Sequence, residues 1–548
     1  MTAQSASRYG SGDGGPGRSA RWDIARLNPP SRLWGSNGVA FGPDGRLYVA
    51  QFLAGQISAV DPATADIEVI VPMDGPVQSP DDLAFGADGS MYIADLVPGR
   101  VWRRSPEGDY TLVSDQVRVP NGITCVGDRL FVNEMKMNGR LLELFPDGRD
   151  PVVLTEGLAL GNAMQLGPDG CLYYPHMVTG EVWRIPADGG SPERVAQDVH
   201  EPVAVRFDRG GVLTVLSRGK AGIVTRIDLH GSGARTVTTS GVVGLDNAAF
   251  DAENRMYVSS YASGGVTEMH PDGRTREIVP MGLDGPFGLT VDLGGTVYAA
   301  DHYRVAALPR TGVRDPGEVR TQGNLQLTHS VTADDGLLHT TSQYGEVRTH
   351  DPANGITHVR ASGLNRPTGI TTAPDGRTVV AETGAGRIVA LDADDTLTVL
   401  AEGIGHPVDV AFDAEGRCYV SDDELGTVLR IDDIDGGATP VTLADGLRAP
   451  QGLAVLGDEL FTVETGRRTL TAISLTTGER RVEAEDLPVG LPPGTSRGDP
   501  ALFTHGMPGA PRLFAGLTTA PDGTLLLSAN GEGTVLRLRR THGTETAT

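Results

Sequence analysis

The chain has almost no lysine: Lys136 and Lys220 are the only two in 548 residues, and nearly all its positive charge is arginine scattered at turns such as those of Arg46 and Arg377. With a formal charge of −24 it lacks the clustered cations that a phosphate backbone requires, which excludes nucleic acid as a partner. Cysteine is nearly absent too. Cys125, Cys171 and Cys418 are odd in number and widely spaced, which supports neither a disulfide framework nor a zinc site and leaves three buried thiols as the expectation. No run approaches the roughly 18 apolar residues of a membrane helix, so no membrane is expected as a partner. Residues 1–20 are Gly/Ser-rich without an apolar stretch, which predicts a disordered leader rather than a secretion signal and hence a cytoplasmic protein. No segment sustains a helical period over three turns.

What fills the chain is repetition. NGVAFGPDGRLYVAQ from Asn37 returns as DDLAFGADGSMYIAD from Asp81, TGITTAPDGRTVVAE from Thr368 and VDVAFDAEGRCYVSD from Val408. Each copy is a short apolar run, a turn on PDG, ADG or AEN, a second run, and two further short runs such as GQISAVDP and IEVIVP. Short Val/Ile/Leu/Tyr runs broken by such turns are antiparallel strands. Four per repeat of about 40 residues make a propeller blade.

The residue opening each repeat is Asn37, Asp81, Asn121, Asn162, Val203, Asp246, Phe287, His329, Thr368, Val408, Gln451 and Ala515. The expected fold is therefore an all-β propeller of twelve four-stranded blades, arranged as two tandem six-bladed rings (21–283 and 284–540) or as one ring of twelve, with a tail over 541–548. Openers are 39 to 44 residues apart except the last pair, separated by 64, so a Pro/Gly-rich insertion over 487–511 predicts a long surface loop. WDIARL from Trp22 is a spare strand that could complete the last blade, which otherwise ends at TVLRLRR. GTSRG around Ser496 and GSGDGG from Gly10 match nucleophile-elbow and dinucleotide motifs but lack the strands and helices those motifs need.

The openers form a set around the blade centre, and its two halves differ. The first carries Asn37, Asp81, Asn121, Asn162 and Asp246, oxygen-bearing side chains of the kind that hold a hard divalent cation. Each could instead cap a backbone group at a turn. The second carries Phe287, Val408 and Ala515, and is expected to be poor in ionisable groups. At the ends of second strands Glu134 and His176 stand in adjacent blades as candidate acid–base partners.

PNGITC from Pro120, LDNAAF from Leu245 and the PDG-x-LY turns resemble the gluconolactonase and senescence-marker protein (regucalcin-like) family, with wider similarity to NHL-repeat and strictosidine-synthase-like propellers. The resemblance implies a six-bladed fold whose channel holds one divalent metal (Ca, Mg, Mn or Zn) through a Glu, two Asn and an Asp, with the Asp as base in lactone hydrolysis. Asn121 and Asn162 match the Asn ligands and Asp246 the Asp. The chain departs from the pattern in carrying Asn37 at the position of the first-blade Glu, in placing Asp246 one blade late, and in being about twice the usual length. The expected function is a metal-dependent hydrolase of a small-molecule lactone or ester, with catalytic Asp246, His176 and Glu134. A lyase or cyclase in the same site, as in streptogramin-lyase-like propellers, and a non-catalytic scaffold are the alternatives.

Overall fold

The computed structural model describes residues 7–10, 15–229, 231–308, 320–323, 325–497, 503–504 and 507–541. It contains twelve four-stranded antiparallel sheets, and the protein is a multi-bladed β-propeller. Among the described residues there is no α-helix, only a single 3-10 turn at Thr383–Ala385, and no helix is long and apolar enough to cross a membrane.

Two compact units divide the sheets. The first unit comprises residues 33–281 and 495–510, the second residues 1–32, 282–494 and 511–548. In the first unit the opening strands of the six sheets are Val39–Phe41, Pro80–Phe85, Pro120–Val126, Gln165–Leu166, Pro202–Phe207 and Leu245–Phe250. Apolar side chains interleave between successive sheets; Tyr48, Ile57 and Val71 of the first meet Leu83, Met91 and Ile93 of the second. The sixth sheet also packs on the first, through Tyr257, Val266 and Ile278 against Val39, Leu47 and Val49. In the second unit Leu526 and Val535 of the twelfth sheet likewise pack on Leu289, Val297 and Ala299 of the seventh.

The spare N-terminal strand is used as its pattern allows. Trp22–Arg26 pairs antiparallel with Thr534–Arg540, Trp22 opposite Arg540, and supplies the fourth strand of the twelfth sheet. Trp22 donates its indole N–H to Glu483 at 2.7 Å, which satisfies a polar atom on an otherwise buried ring. A wholly disordered leader is incorrect for the described part of 1–20. Arg8 is half-buried and donates to the carbonyls of Gly285 at 2.7 Å and Asn530 at 2.8 Å, and Tyr9 donates to that of Val489 at 3.0 Å. A guanidinium that answers several otherwise open carbonyls holds the segment in place without any apolar sequence signal. Of the thiols, Cys418 is buried as expected, but Cys125 and Cys171 are only half-buried; all three are free.

A recurrent irregularity positions the centre of each unit. The pairing of first and second strands slips at the opener, between Pro80 and Asp82, Pro120 and Ile123, Pro202 and Ala204, and Leu245 and Ala248. Such a bulge breaks the alternation of faces and re-aims side chains. Two consecutive residues, the opener and its successor, can therefore both serve the centre.

Candidate functional site

In the first unit the bulges bring together side chains from four opening strands. Asp82, the successor of the opener Asp81, accepts from the Asn247 amide at 2.9 Å although the two are 165 residues apart. Its other oxygen takes the backbone N–H of Ile123 at 3.3 Å and lies 3.9 Å from Arg206. Arg206 is buried and saturated: it donates to the carbonyl of Ala248 at 2.8 Å, to that of Met164 at 2.9 Å, and to the Asn247 side-chain oxygen. Asp81 is buried beside Asp82 and accepts from the Asn121 amide. Asp246 completes the group; it keeps partial exposure and feels the charges of Asp81 and Asp82.

Three carboxyls against the guanidinium groups of Arg206 and, toward Asp246, Arg218 leave a negative excess in a desolvated place. Burial, then the charge of Asp82, pushes the Asp81 carboxyl up to about 7. Burial pushes Asp82 up to about 6 even though Arg206 pulls the other way. Asp246 is held well above the usual carboxylate range by burial, then by Asp81 and Asp82. Desolvation disfavours the charged form, and like charges disfavour it further. The cluster can therefore both hold and release protons near neutrality.

Of the five expected metal ligands, Asp81, Asn121 and Asp246 reach this cluster. Asn162 instead turns its side-chain oxygen to the backbone N–H of Ala163 at 2.7 Å, and Asn37 accepts from Phe52 N–H at 3.4 Å, so both cap backbone. Asn121 keeps a buried side-chain oxygen without a hydrogen-bond partner. Among the described residues no group of three or more His, Cys, Asp or Glu side chains is arranged to hold a metal ion.

Glu134 and His176 do not form an acid–base pair. Glu134 is consumed by structure: Arg140 donates to it at 2.5 and 3.0 Å, and the backbone N–H groups of Arg118 and Arg140 at 2.9 and 3.2 Å. These donors outweigh burial and hold its carboxyl below the usual range. The same latch recurs at second-strand ends, where Asp95 takes the N–H of Ser79, Glu382 that of Asn365 and Glu464 that of Arg448, each acid tying down the loop that enters its own sheet. His176 occupies the equivalent position in the fourth sheet and stacks on Trp183, ring centroids 5.4 Å apart. Burial lowers its pKa, and the one charge acting against that is Glu181 of its own sheet.

Glu134→Gln is accordingly expected to leave turnover intact and to destabilise the protein by about 1–3 kcal/mol, the cost of weakening a charge-assisted latch. Because its folded pKa lies below the unfolded one, the stabilisation is present above the unfolded pKa and is lost as pH falls through the folded value. Melting curves across acidic pH check both points.

Above the cluster the first unit is apolar: Phe52, Leu53, Leu96, Val97, Val119 and Met135 pack together and take Ala510 of the insertion among them. Arg497, also of the insertion, donates to the carbonyls of Leu53 at 2.7 Å and Gln78 at 2.5 Å. The second unit corrects the expectation that its centre is poor in ionisable groups. His406 shares a 2.6 Å hydrogen bond with Asp423, whose other oxygen lies 3.3 Å from Arg512. His302 and His329 are buried near Phe287, and desolvation pushes them down to about 3 and about 4. None of His302, His406 or Asp423 is an opener: two follow a second strand and one precedes a Pro, positions that opener counting passes over.

Residues 345–498 match a family model described as outer membrane protein assembly factor BamB. Curated protein sequences give no match. Among solved structures, a streptogramin B lyase is 18% identical over 53% of this chain and 98% of its own, with a TM-score of 0.38. A catalytically inactive virginiamycin B lyase from Staphylococcus aureus is 18% identical over 51% of this chain and 96% of its own, TM-score 0.37. A gluconolactonase from Xanthomonas campestris is 17% identical over 45% of this chain and 93% of its own, TM-score 0.37. Identities this low do not bear on the reaction, and the conclusion at this level is that the chain is a β-propeller.

Proposed function

We propose that each unit is a closed six-bladed propeller and that the first is catalytic, hydrolysing a lactone or related ester of a small molecule at the Asp81–Asp82–Asp246 cluster. The observation that carries this reading is the convergence of three carboxyls, all raised above the usual carboxylate range, beside the saturated guanidinium of Arg206. Asp246, the most solvent-accessible of the three, is the base. It takes a proton from water as the water oxygen bonds to the carbonyl carbon. The ring C–O bond then breaks, and the departing oxygen receives the proton, giving a hydroxy acid. Asp81 and Asp82 raise the proton affinity of Asp246, and Arg206 fixes Asp82 and Asn247.

The residues fit a divalent cation through Asp81, Asp246 and the orphaned side-chain oxygen of Asn121, because a cation relieves the repulsion that raises both carboxyls. When bound, it would polarise the carbonyl. Ala510 packs into the apolar group of Phe52, Leu53 and Met135, and Arg497 ties to the carbonyls of Leu53 and Gln78, which secludes the site on that side.

The test is elemental analysis of the purified protein joined to a lactone and ester screen and thermal melts with Ca, Mg, Mn and Zn. Saturable stabilisation by one cation, lost in Asn121→Ala, together with lactone turnover, supports the reading. Turnover of none of the substrates, with or without added metal, overturns it.

A further inference from the structure

The second unit has an open cavity of about 180 Å³ among its opening strands, lined by Thr290, Ser330, Thr371, Asp409, Leu453 and Thr518. Asp409 is its one charged lining residue. It is the successor of the opener Val408, the repeat position held by Asp82 in the first unit, and the same strand slip delivers it to the centre. The two differ in company. Asp82 has Arg206 and the Asn247 amide. Asp409 accepts the backbone N–H groups of Leu453, at 2.9 Å, and Val410, and among the described residues no positive charge acts on it.

The opening strands approach closely here: Gly369, at the same repeat position in the preceding sheet, has no side chain, and a Cβ there would collide with the Asp409 carboxyl oxygen and with the Asp409 and Val408 backbone. A buried carboxylate without a cation is costly. Several hydroxyl oxygens beside it suit a donor with several N–H groups, and an ammonium presents three. A divalent metal calls for more charged oxygens than one carboxylate. The volume is on the order of six waters at ~30 Å³ each, so a bare ion would leave most of it unfilled.

We propose that this cavity is a binding site for a small primary ammonium compound of about six non-hydrogen atoms, its nitrogen on Asp409 and its remainder among the threonine and serine hydroxyls. The site lies apart from the one assigned to hydrolysis and stands whether or not that assignment does.

The test uses the full chain in amine-free buffer, with calorimetric titration and thermal melts against primary amines of two to six carbons, 2-aminoethanol included, and against ethylene glycol and acetate. At least one amine should give a saturable upward shift that the glycol and acetate do not. Asp409→Asn, which keeps volume and the Leu453 hydrogen bond, should weaken that amine at least tenfold, and Thr371→Val a few-fold. Equal binding in Asp409→Asn, or no response to any amine, overturns the proposal. So does a calcium response in the parent protein that Asp409→Asn abolishes.

Discussion

Asp246→Asn is expected to lower turnover of a lactone substrate by roughly 10²- to 10⁴-fold, the worth of a positioned general base, while the melting temperature stays level or rises. The rise follows from sign. Asp81, Asp82 and Asp246 all have folded pKa values above those of an unfolded carboxyl, Asp81 at about 7 and Asp82 at about 6. Above a pH of about 4 the folded state holds protons that the unfolded chain has released, so stability falls as pH rises through the folded pKa values of Asp82, Asp81 and Asp246. Replacing one carboxylate by an amide removes part of that repulsion. Asp81→Asn should flatten the dependence of melting temperature on pH between 5 and 7.5, and in the parent protein turnover should rise with pH as Asp246 loses its proton. A melting profile unchanged in Asp81→Asn would mean that these carboxyls do not repel one another.

The second large effect is expected at Arg206. Arg206→Met removes the guanidinium hydrogen-bonded to Asn247 and, among the described residues, leaves Asp82 a buried carboxylate without an ion-pair partner. Removing one partner from a buried ionic group costs about 3–5 kcal/mol. For a unit of this size that is on the order of 10 °C in melting temperature. Adding Asp82→Asn should recover part of the loss, because the double variant has no orphaned charge, and the non-additivity measures the coupling. Single variants whose effects simply add would show that Arg206 stabilises through the Ala248 and Met164 carbonyls alone.

Arg206 also shows where sequence reading stops. It lies three residues after the opener Val203 in VAVRF, a run that by alternation is an ordinary strand, and nothing local separates it from the surface arginines at turns. A buried arginine within a strand run is a weak signal that could have been weighed, since arginine is seldom fully buried without a partner. Asp82 is a similar case. Strict alternation sends one residue of the Asp81–Asp82 pair inward and the other away, and only the bulge admits both. Glu134 errs the other way. An acid beside the centre is legible as chemistry, but Arg140, six residues on in the neighbouring strand, claims it once the sheet forms.

By itself the sequence determined what depends on neighbours along the chain. The number of blades, the four strands in each, the PDG turns, the spare strand at Trp22 and the set of openers follow from a period of about 40 residues, alternation at period two and turn chemistry, all of which act within a few residues. Tertiary structure decided which openers meet, which merely cap their own strand, and which acids are latched. It also decided that Arg497 and Ala510 of the insertion pack on the first unit and that Asp409 lines an open cavity whereas Asp82 is filled in by Arg206. Those outcomes rest on a bulge and on contacts between residues 40 to 165 apart, where the balance of burial against charge belongs to the assembled centre and to no single repeat.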